Sequence, residues 1–421
     1  MNALSQLHIT GGRRLGGAIP IHGAKNSILP LLAATLLCRG ESELHGCPRL
    51  SDVDASVEIL RHLGCRVTRQ DDVITVCAES PDKWDIPDAL MRRMRSSIVF
   101  FGAMTARLGQ AKLSFPGGCE LGPRPIDLHI AALRRLGATI EEAHGCLHSF
   151  LPDGRFHGAT VPLSFPSVGA TENALLAAVT AEGVTTILGA AREPEIRDLA
   201  DYLTACGARI AFSPDGTITV EGVPELHGCV HTVIPDRIET ATYMAATAVT
   251  GGTTLLAPVE PAHLASVIPV MEEAGCRVRT WERELMISAP TRLRRIRQIR
   301  TMPYPGFPTD AAAPLLAMGC VAEGTSVFVE TIFEGRYKYV DELRRLGAHI
   351  KTEGRIAVTE GVPRLQGAAV HCTDLRGGAA LVVAALAAEG ESTVGELIHL
   401  DRGYEALDAV LKAAGADIER R

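Results

Sequence analysis

The sequence predicts an α/β fold, a two-domain inside-out α/β barrel in which sheets wrap buried helices, built from six βαβαββ units with three in each domain. A small-residue triplet centred on glycine recurs six times, at Gly64, Gly137, Gly207, Gly275, Gly347 and Gly415. Successive glycines of this marker lie 73, 70, 68, 72 and 68 residues apart. A second marker keeps nearly the same phase, at Gly40, Gly109, Gly183, Gly251, Gly324 and Gly390. Two markers with one shared period indicate six copies of a single unit.

Each copy has the same predicted order of elements. A helix such as 379–388 is apolar on every face and is therefore expected to be buried. It ends near the second-marker glycine, which accepts a left-handed backbone conformation. A β-branched strand follows, as at 325–329, and then an amphipathic helix such as 340–346. The first-marker triplet ends that helix, and a strand pair such as 209–211 with 217–220 closes the copy.

Composition excludes several classes of protein. The chain has 421 residues, enough for roughly two or three domains, and 46% of them are apolar. The net charge of −7 argues against a general nucleic-acid binder. The longest apolar runs, 28–38 and 379–388, are too short to cross a bilayer, and the N-terminus lacks a signal-peptide pattern. Eleven cysteines without a CxxC pair favour reduced thiols in a cytoplasmic protein. We therefore expect no metal, cofactor, membrane or nucleic acid.

A polar segment precedes each apolar helix, where free backbone N–H groups attract anions. The six segments are 23–26, 94–97, 167–171, 235–239, 307–310 and 373–376. If one end of the units faces a common cleft, Lys25, Arg95, Arg237 and Arg376 converge there as an anion site. The alternative is that each is a solvated charge at a helix start.

Three further segments are more polar than the common unit requires. The insertion 117–125, rich in glycine and proline, carries Cys119 and Arg124, and a nearby cation lowers the pKa of a thiol. Cys119 is either a reactive thiol or an incidental surface cysteine, whereas the thiols beside the marker glycines, at Cys65, Cys206 and Cys276, are expected in the core. Arg336 and Arg402 precede amphipathic helices. Each either binds a ligand or pairs with its neighbour, Glu334 or Asp401.

These segments resemble the UDP-N-acetylglucosamine 1-carboxyvinyltransferase family of enolpyruvyl transferases. The resemblance rests on motifs in order along the chain, namely 23–26, 116–119, 124–129, 167–171, 235–240, 307–310 and 401–405. It implies two domains with ligands in the cleft between them: a discontinuous one of residues 1–24 plus 235–421, and a second of residues 25–234. The chain departs from the usual motif at Gly377–Gly378, where small residues are common but paired glycines are not.

The resemblance implies a reaction. The enolpyruvyl group of phosphoenolpyruvate passes to the 3′-hydroxyl of UDP-N-acetylglucosamine, and phosphate leaves by addition and elimination. This is the first committed step of peptidoglycan synthesis, and so bears on cell shape and division. The implied partners are these two substrates, with no obligatory protein partner. Two alternatives are a non-catalytic paralogue that binds the nucleotide sugar and an enzyme similar to 5-enolpyruvylshikimate-3-phosphate synthase.

The resemblance also implies roles for residues. Cys119 would deliver a proton to the vinyl carbon and be alkylated by fosfomycin, and Asp310 would accept the hydroxyl proton. Lys25, Arg124 and Arg402 would clamp phosphate, with Arg336 and Arg376 nearby, and Asn26 would orient the substrate. The implied nucleotide-sugar contacts are Arg95, Arg124, Pro125, Ile126, Asp127, Leu128, Ser167, Val168, Gly169, Asp310 and Ile332.

Overall fold

The structure, a computed structural model, describes residues 5–115 and 126–421. The described residues form two compact units. The split unit consists of residues 5–22 and 235–421, and the inner unit consists of residues 23–115 and 126–234. The chain therefore leaves the split unit after a short N-terminal segment and returns to it at Pro235.

The predicted α/β class is confirmed by the helices and strands of both units. Within the described residues the α-helices are Lys25–Thr35, Ser51–His62, Asp88–Arg93, Phe100–Leu108, Asp127–Arg135, Val168–Ala178, Pro194–Ala205, Arg237–Val249, Ile268–Glu273, Thr309–Gly319, Val340–Arg345, Leu375–Ala387 and Leu407–Ala413. Short 3₁₀ helices span Arg95–Val99, Pro261–Leu264 and Leu400–Arg402.

Six four-stranded sheets share one topology, since in each the first strand is parallel to the second and the remaining neighbours are antiparallel. In the inner unit the sheets are, in spatial order, Val230–Thr232, Glu41–His45, Val73–Cys77, Arg66–Gln70; Asp85–Ile86, Gln110–Ser114, Cys146–Phe150, Thr139–Ala143; and Thr160–Pro162, Val184–Leu188, Ile218–Glu221, Arg209–Phe212. In the split unit they are Ala369–His371, Glu391–Gly395, Leu7–Thr10, Asp417–Arg420; Gly16–Pro20, Thr253–Ala257, Leu285–Ser288, Arg277–Thr280; and Gln298–Arg300, Thr325–Val329, Ile356–Glu360, His349–Glu353. Two-stranded pairs join Cys38–Arg39 to Leu226–His227 and Leu365–Gln366 to Ala388–Glu389. Six sheets of one topology confirm the predicted sixfold repeat.

Three of the six repeats are not contiguous in sequence, which the glycine markers did not reveal. Val230–Thr232 supplies the first strand of the repeat that begins with helix Lys25–Thr35. Gly16–Pro20 pairs with Thr253–Ala257 and so belongs to a repeat more than two hundred residues later. Leu7–Thr10 is the last strand of the sixth repeat, with Leu7 opposite both Val394 and Arg420.

Apolar central helices fill the core of each unit. In the split unit, Arg237–Val249, Thr309–Gly319 and Leu375–Ala387 pack against one another, and nearly all of their residues are buried. In the inner unit, Phe100–Leu108 packs against both Lys25–Thr35 and Val168–Ala178. Burial of these aliphatic faces is the main stabilising contribution, at about 25 cal/mol per Å² of apolar surface removed from water.

The central helices also fix where the polar segments lie. Each of the six segments identified in the sequence stands at the N-terminus of a central helix or of the 3₁₀ turn Arg95–Val99 that leads into one. The first-marker glycines all have left-handed φ values, from 89° at Gly347 to 104° at Gly207. Such φ values favour glycine and end the amphipathic helices as predicted. Within the described ranges, no helix has the length and apolarity needed to span a bilayer.

Candidate active site

A carboxylate between two guanidiniums stands at the start of helix Thr309–Gly319 in the split unit. Asp310 Oδ1 accepts a hydrogen bond from Arg336 Nη2 at 2.7 Å, and Asp310 Oδ2 accepts one from Arg376 Nη2 at 3.1 Å. Both arginine side chains are 2% exposed, whereas the Asp310 side chain is 26% exposed. Arg336 Nη2 also donates to the carbonyl oxygen of Thr309 at 3.1 Å. Two buried guanidiniums therefore hold a carboxylate that is partly exposed to solvent.

The electrostatics of this cluster favour the charged form of the carboxylate. Burial acts to raise the pKa of Asp310, but the guanidiniums of Arg376 and Arg336 outweigh it and hold that pKa well below its usual range. Arg336 Nε, Arg376 Nε and Arg376 Nη1 are buried and have no hydrogen-bond partner among the described residues. Buried donors of this kind are costly unless a ligand satisfies them, so the cluster is suited to bind a further oxyanion.

Glu330 positions the segment beside this cluster. Its buried carboxylate accepts from Thr309 Oγ1 at 2.7 Å and from Thr301 Oγ1 at 3.0 Å. The same side chain accepts from the backbone N–H of Ile332 at 2.7 Å and of Phe333 at 3.0 Å. The Glu330 carboxylate therefore links the loop that contains Ile332 to Thr309, the residue that precedes Asp310.

The second arginine of the cluster stands on a helix start that is capped by a side chain. Asp374 Oδ1 accepts from the backbone N–H of Arg376 at 3.0 Å and of Gly377 at 2.9 Å. A Cβ on Gly377 would lie 2.7 Å from both Asp374 Oδ2 and the Cβ of Tyr339, and one on Gly378 would lie 2.7 Å from a cysteine sulfur. The paired glycines are explained by this close packing.

The segment containing Arg402 packs against the same helix. A Cβ on Gly403 would lie 2.7 Å from Leu375, which begins the helix. The ring of Tyr404 lies 5.4 Å from the guanidinium carbon of Arg376, and its hydroxyl is 2.9 Å from Thr242 Oγ1. The structure therefore places the end of the 3₁₀ turn Leu400–Arg402 close to the Asp310 cluster.

A buried ion pair marks the corresponding helix start in the inner unit. Lys25 is the first residue of its helix, and its Nζ lies 2.7 Å from Asp52 Oδ2. The two side chains are only 7% and 1% exposed. No side chain caps this helix, since Ala24 occupies the N-cap position. The lysine and the uncapped N–H groups of its helix are both suited to an anion.

A buried amide joins three segments of the inner unit. Asn173 Nδ2 donates to the Ile98 carbonyl at 3.1 Å and to His129 Nδ1 at 3.0 Å, and Asn173 Oδ1 accepts from the Gly102 N–H at 2.6 Å. Burial lowers the pKa of His129 to about 4, so the ring is neutral and accepts at Nδ1. The His129 ring lies so close to Gly169 that a Cβ there would be 2.8 Å from its Cε1.

Comparison with known proteins identifies the family. The model of the EPSP synthase (3-phosphoshikimate 1-carboxyvinyltransferase) family matches residues 9–411. The chain is 48% identical over 417 residues to UDP-N-acetylglucosamine 1-carboxyvinyltransferase 2 of Caldanaerobacter subterraneus subsp. tengcongensis, covering 99% of this chain and 100% of that protein. The chain belongs to the UDP-N-acetylglucosamine 1-carboxyvinyltransferase family. The predictions of this family, and of an enzyme that transfers a carboxyvinyl group, are confirmed.

Solved structures agree with this membership. The enolpyruvyl transferase NikO from Streptomyces tendae superposes with a TM-score of 0.90 at 28% identity, covering 99% of both chains. An EPSP synthase from Acinetobacter baumannii superposes with a TM-score of 0.76 at 19% identity, covering 100% of both chains. The second likeness shows that the carboxyvinyltransferase fold is shared by enzymes of diverged sequence.

The site residues expected for the carboxyvinyltransferase family fall into three groups. The structure brings Asp310, Arg336 and Arg376 into contact in the split unit, with Ile332 and Arg402 on adjoining segments. In the inner unit, Lys25 and the half-buried Asn26 begin one central helix, and Arg95 begins the 3₁₀ turn of another. Asn173 and His129 join that turn to the expected nucleotide-sugar residues Ile126, Asp127, Leu128, Ser167, Val168 and Gly169. Cys119, Arg124 and Pro125 lie outside the described residues.

The alternative of a local ion pair is wrong for Arg336 and Glu334, and for Arg402 and Asp401 it stays a prediction. Glu334 bonds to Arg355 at 2.9 Å, and Asp401 accepts two bonds from Arg420 at 3.0 and 2.8 Å. Arg336 pairs instead with Asp310, which is 26 residues away in sequence.

Four residues that contact or adjoin the candidate site residues were not among those expected from the sequence. They are Asp52, Glu330, His129 and Asn173. Each is a polar residue that the structure buries. Glu330 and Asn173 adjoin apolar runs, which was the available signal for those two, whereas Asp52 and His129 lie in helices of mixed polarity. Their partners lie on other elements, however, and only the tertiary structure identifies those partners.

Proposed function

We propose that the protein transfers the enolpyruvyl group of phosphoenolpyruvate to the 3′-hydroxyl of UDP-N-acetylglucosamine and releases phosphate, as the first committed step of peptidoglycan synthesis. The full-length relative at 48% identity supports the substrates. The observation that carries the mechanism is Asp310 held between two buried guanidiniums. This arrangement offers both a proton acceptor and an oxyanion site.

Binding of the anionic substrate activates the base. While both guanidiniums are bonded to Asp310, its pKa stays low and it is a poor proton acceptor. An incoming carboxylate or phosphate shares Arg336 and Arg376, and it places its own negative charge nearby. Both effects raise the pKa of Asp310 toward the working range of a general base. The hydroxyl proton is therefore accepted only once the second substrate is bound.

The remaining charges of the substrate fall to the basic residues that the resemblance assigns to phosphate. Lys25, beside Asp52 at an uncapped helix start, holds the phosphate together with Arg124 and Arg402. The segments joined by Asn173, namely 95–98, 126–128 and 167–169, hold the nucleotide sugar with Asp310 and Ile332. Asn26, next to Lys25, orients the substrate.

The chemistry balances with one acid and one base in the addition step. The sugar hydroxyl oxygen bonds to the carbon that bears the phosphate, and its proton passes to Asp310. The Cys119 thiol supplies a proton to the vinyl carbon, which becomes a methyl group. In the elimination step the carbon–oxygen bond to phosphate breaks and the leaving phosphate takes the proton held by Asp310. The methyl group returns a proton to the Cys119 thiolate, which restores the double bond and both catalytic groups.

Purified protein tests the proposal directly. With phosphoenolpyruvate and UDP-N-acetylglucosamine together, phosphate should be released in proportion to the product formed, and omission of either substrate should abolish release. Cys119→Ser should retain the fold and lose most turnover, while fosfomycin should add its mass to the peptide containing Cys119. Unchanged turnover in the variant would refute the acid role. Binding of the nucleotide sugar without phosphate release would favour the non-catalytic alternative, and release with shikimate 3-phosphate as acceptor would favour the synthase alternative.

A cytoplasmic location is proposed together with this function. All ten cysteines within the described residues are free, as expected for a reducing compartment. Fractionation of cells that express the tagged protein should recover it with cytoplasmic markers, and recovery with the membrane pellet would contradict the proposal.

A further inference from the structure

Two cysteine thiols are in contact near the end of helix Pro194–Ala205 in the inner unit. Cys206 follows that helix directly and is fully buried, whereas Cys229 is half-buried and precedes the strand Val230–Thr232. Their Sγ atoms are 3.3 Å apart. This is a close thiol–thiol contact between residues whose separation in sequence gives no reason to expect it.

The backbone holds the two cysteines in this position. The N–H of His227 donates to the carbonyl of Cys206 at 3.0 Å, and the N–H of Cys206 donates to the carbonyl of Tyr202 at 3.0 Å. A disulfide has an S–S distance of about 2.05 Å, so the sulfurs need to approach by only about 1.2 Å. A disulfide at this position requires side-chain rotations that provide this movement.

The two thiols differ in reactivity. A hydrogen bond from Cys206 lowers the pKa of Cys229, burial opposes this, and His231 and His227 lower it further. Asp198 Oδ1 is 2.8 Å from Nε2 of His231 and raises the pKa of that ring despite its burial. Hydrogen bonding to Cys229 and burial raise the pKa of Cys206. Cys229 is therefore the more exposed and the more nucleophilic of the pair.

We propose that Cys206 and Cys229 form a peroxide-sensitive dithiol, in which Cys229 is oxidised first and Cys206 converts it to a disulfide. In the first step the Cys229 sulfur attacks hydrogen peroxide, the O–O bond breaks, and a sulfenic acid and water form. In the second step the Cys206 sulfur attacks that sulfenic sulfur, an S–S bond forms, and a second water leaves. Two thiols lose two electrons, and one peroxide gains them.

The disulfide joins two elements of the inner unit. It ties the C-terminus of helix Pro194–Ala205 to the segment that enters Val230–Thr232, the first strand of the sheet beside Glu41–His45. A cross-link between residues already in contact restrains the unfolded chain more than the folded one, so it should stabilise the oxidised protein. Cys38 is a further thiol in this region. Its Sγ is 3.5 Å from the Tyr202 hydroxyl, and its hydrogen bond with Cys206 also raises the pKa of Cys206.

Peptide mapping tests the pairing. The protein with Cys119→Ser, which removes the other expected reactive thiol, is treated with hydrogen peroxide, alkylated, and digested with trypsin without reduction. Cleavage after Arg209 separates the Cys206 peptide, 198–209, from the Cys229 peptide, 210–237. We expect these two peptides to be linked, the intact mass to fall by two hydrogen atoms, and dithiothreitol to reverse both changes.

Variants and alternative products decide the result. Cys229→Ser and Cys206→Ala should each abolish the link, whereas Cys276→Ala should preserve it, since Cys276 is a buried thiol beside another marker glycine. The proposal would be overturned by a link between 26–39 and 198–209, which pairs Cys38 with Cys206. Sulfinic acid at Cys229 without a link, or two unmodified thiols after treatment, would overturn it as well. The test uses mass alone, so its outcome is independent of the proposed enzyme activity.

Discussion

Replacement of Asp310 by asparagine removes the charge that two buried arginines share, and its consequences can be worked out from the structure. Each hydrogen bond to a charged group contributes about 1.5–3 kcal/mol. Asparagine keeps one oxygen for Arg336 or Arg376 but turns an N–H group toward the other, so one of the two charge-assisted bonds is lost and the other weakened. Because the Asp310 side chain is 26% exposed, water compensates part of the loss. We expect the free energy of unfolding to fall by about 2–3 kcal/mol.

The same substitution should make the protein respond more strongly to oxyanions. Arg336 and Arg376 would then carry two buried charges with no carboxylate between them, and inorganic phosphate can supply the missing negative charge. A ligand that binds only the folded state stabilises it in proportion to the logarithm of its concentration. Urea denaturation in phosphate and in chloride at equal ionic strength should show a larger stabilisation by phosphate in Asp310→Asn than in the parent protein.

Asp408→Asn provides the matched control. Asp408 has a similar exposure, 22%, and accepts a bond from Arg420 at 3.2 Å, but this arginine also pairs with Asp401. Its loss should lower stability by less than about 1 kcal/mol and leave the phosphate effect unchanged. If Asp310→Asn matched this control in both measurements, the oxyanion role of the cluster would be refuted. Full turnover in Asp310→Asn would refute its role as a base.

The remaining predictions concern three other sites. The pKa of His129 is about 4 in the folded protein and 6.5 in the unfolded chain, so the unfolded state binds more protons and stability should fall by about 3 kcal/mol as pH drops from 6.5 to 4. His129→Gln should flatten that part of a plot of unfolding free energy against pH, and an unaltered slope would contradict it. Asp52→Asn should raise the KM for phosphoenolpyruvate about tenfold, because Lys25 loses the carboxylate that positions it. This change corresponds to about 1.4 kcal/mol of binding free energy. The KM for the nucleotide sugar should stay within about twofold. Gly377→Ala should lower the free energy of unfolding by about 1–3 kcal/mol, because its Cβ would meet the Cβ of Tyr339 at 2.7 Å. The urea midpoint should fall accordingly, and a wild-type midpoint would show that the helix start can adjust.

Local patterns in the sequence were sufficient to predict most elements of the fold. The strand expected at 325–329 is observed as Thr325–Val329, and the helix expected at 340–346 as Val340–Arg345. Both are determined by short-range periodicity and by a glycine with positive φ at the helix end. The helix expected at 379–388 begins earlier, as Leu375–Ala387, because its N-cap is Asp374, which lies outside the apolar run that predicted it.

Long-range pairing could not be predicted in the same way. Nothing local distinguishes Gly16–Pro20 as the partner of Thr253–Ala257, since strand pairing depends on the path of the whole chain. In the candidate site, too, local positions could be predicted from the sequence but long-range contacts could not. Asp310 and Arg376 were identified from their positions at helix starts, but their hydrogen bond joins two repeats. Glu330 was missed because a single buried carboxylate after a strand carries no motif.

The strand Leu7–Thr10 has a consequence for how the protein is made. It lies between Glu391–Gly395 and Asp417–Arg420, so a strand that is made early pairs with two strands that are made much later. Residues 23–234 contain all strands of their own three sheets and can close while synthesis continues, but the sixth sheet stays open until Asp417–Arg420 has been made. Until Asp417–Arg420 is in place, one edge of Leu7–Thr10 is unpaired and exposed to aggregation.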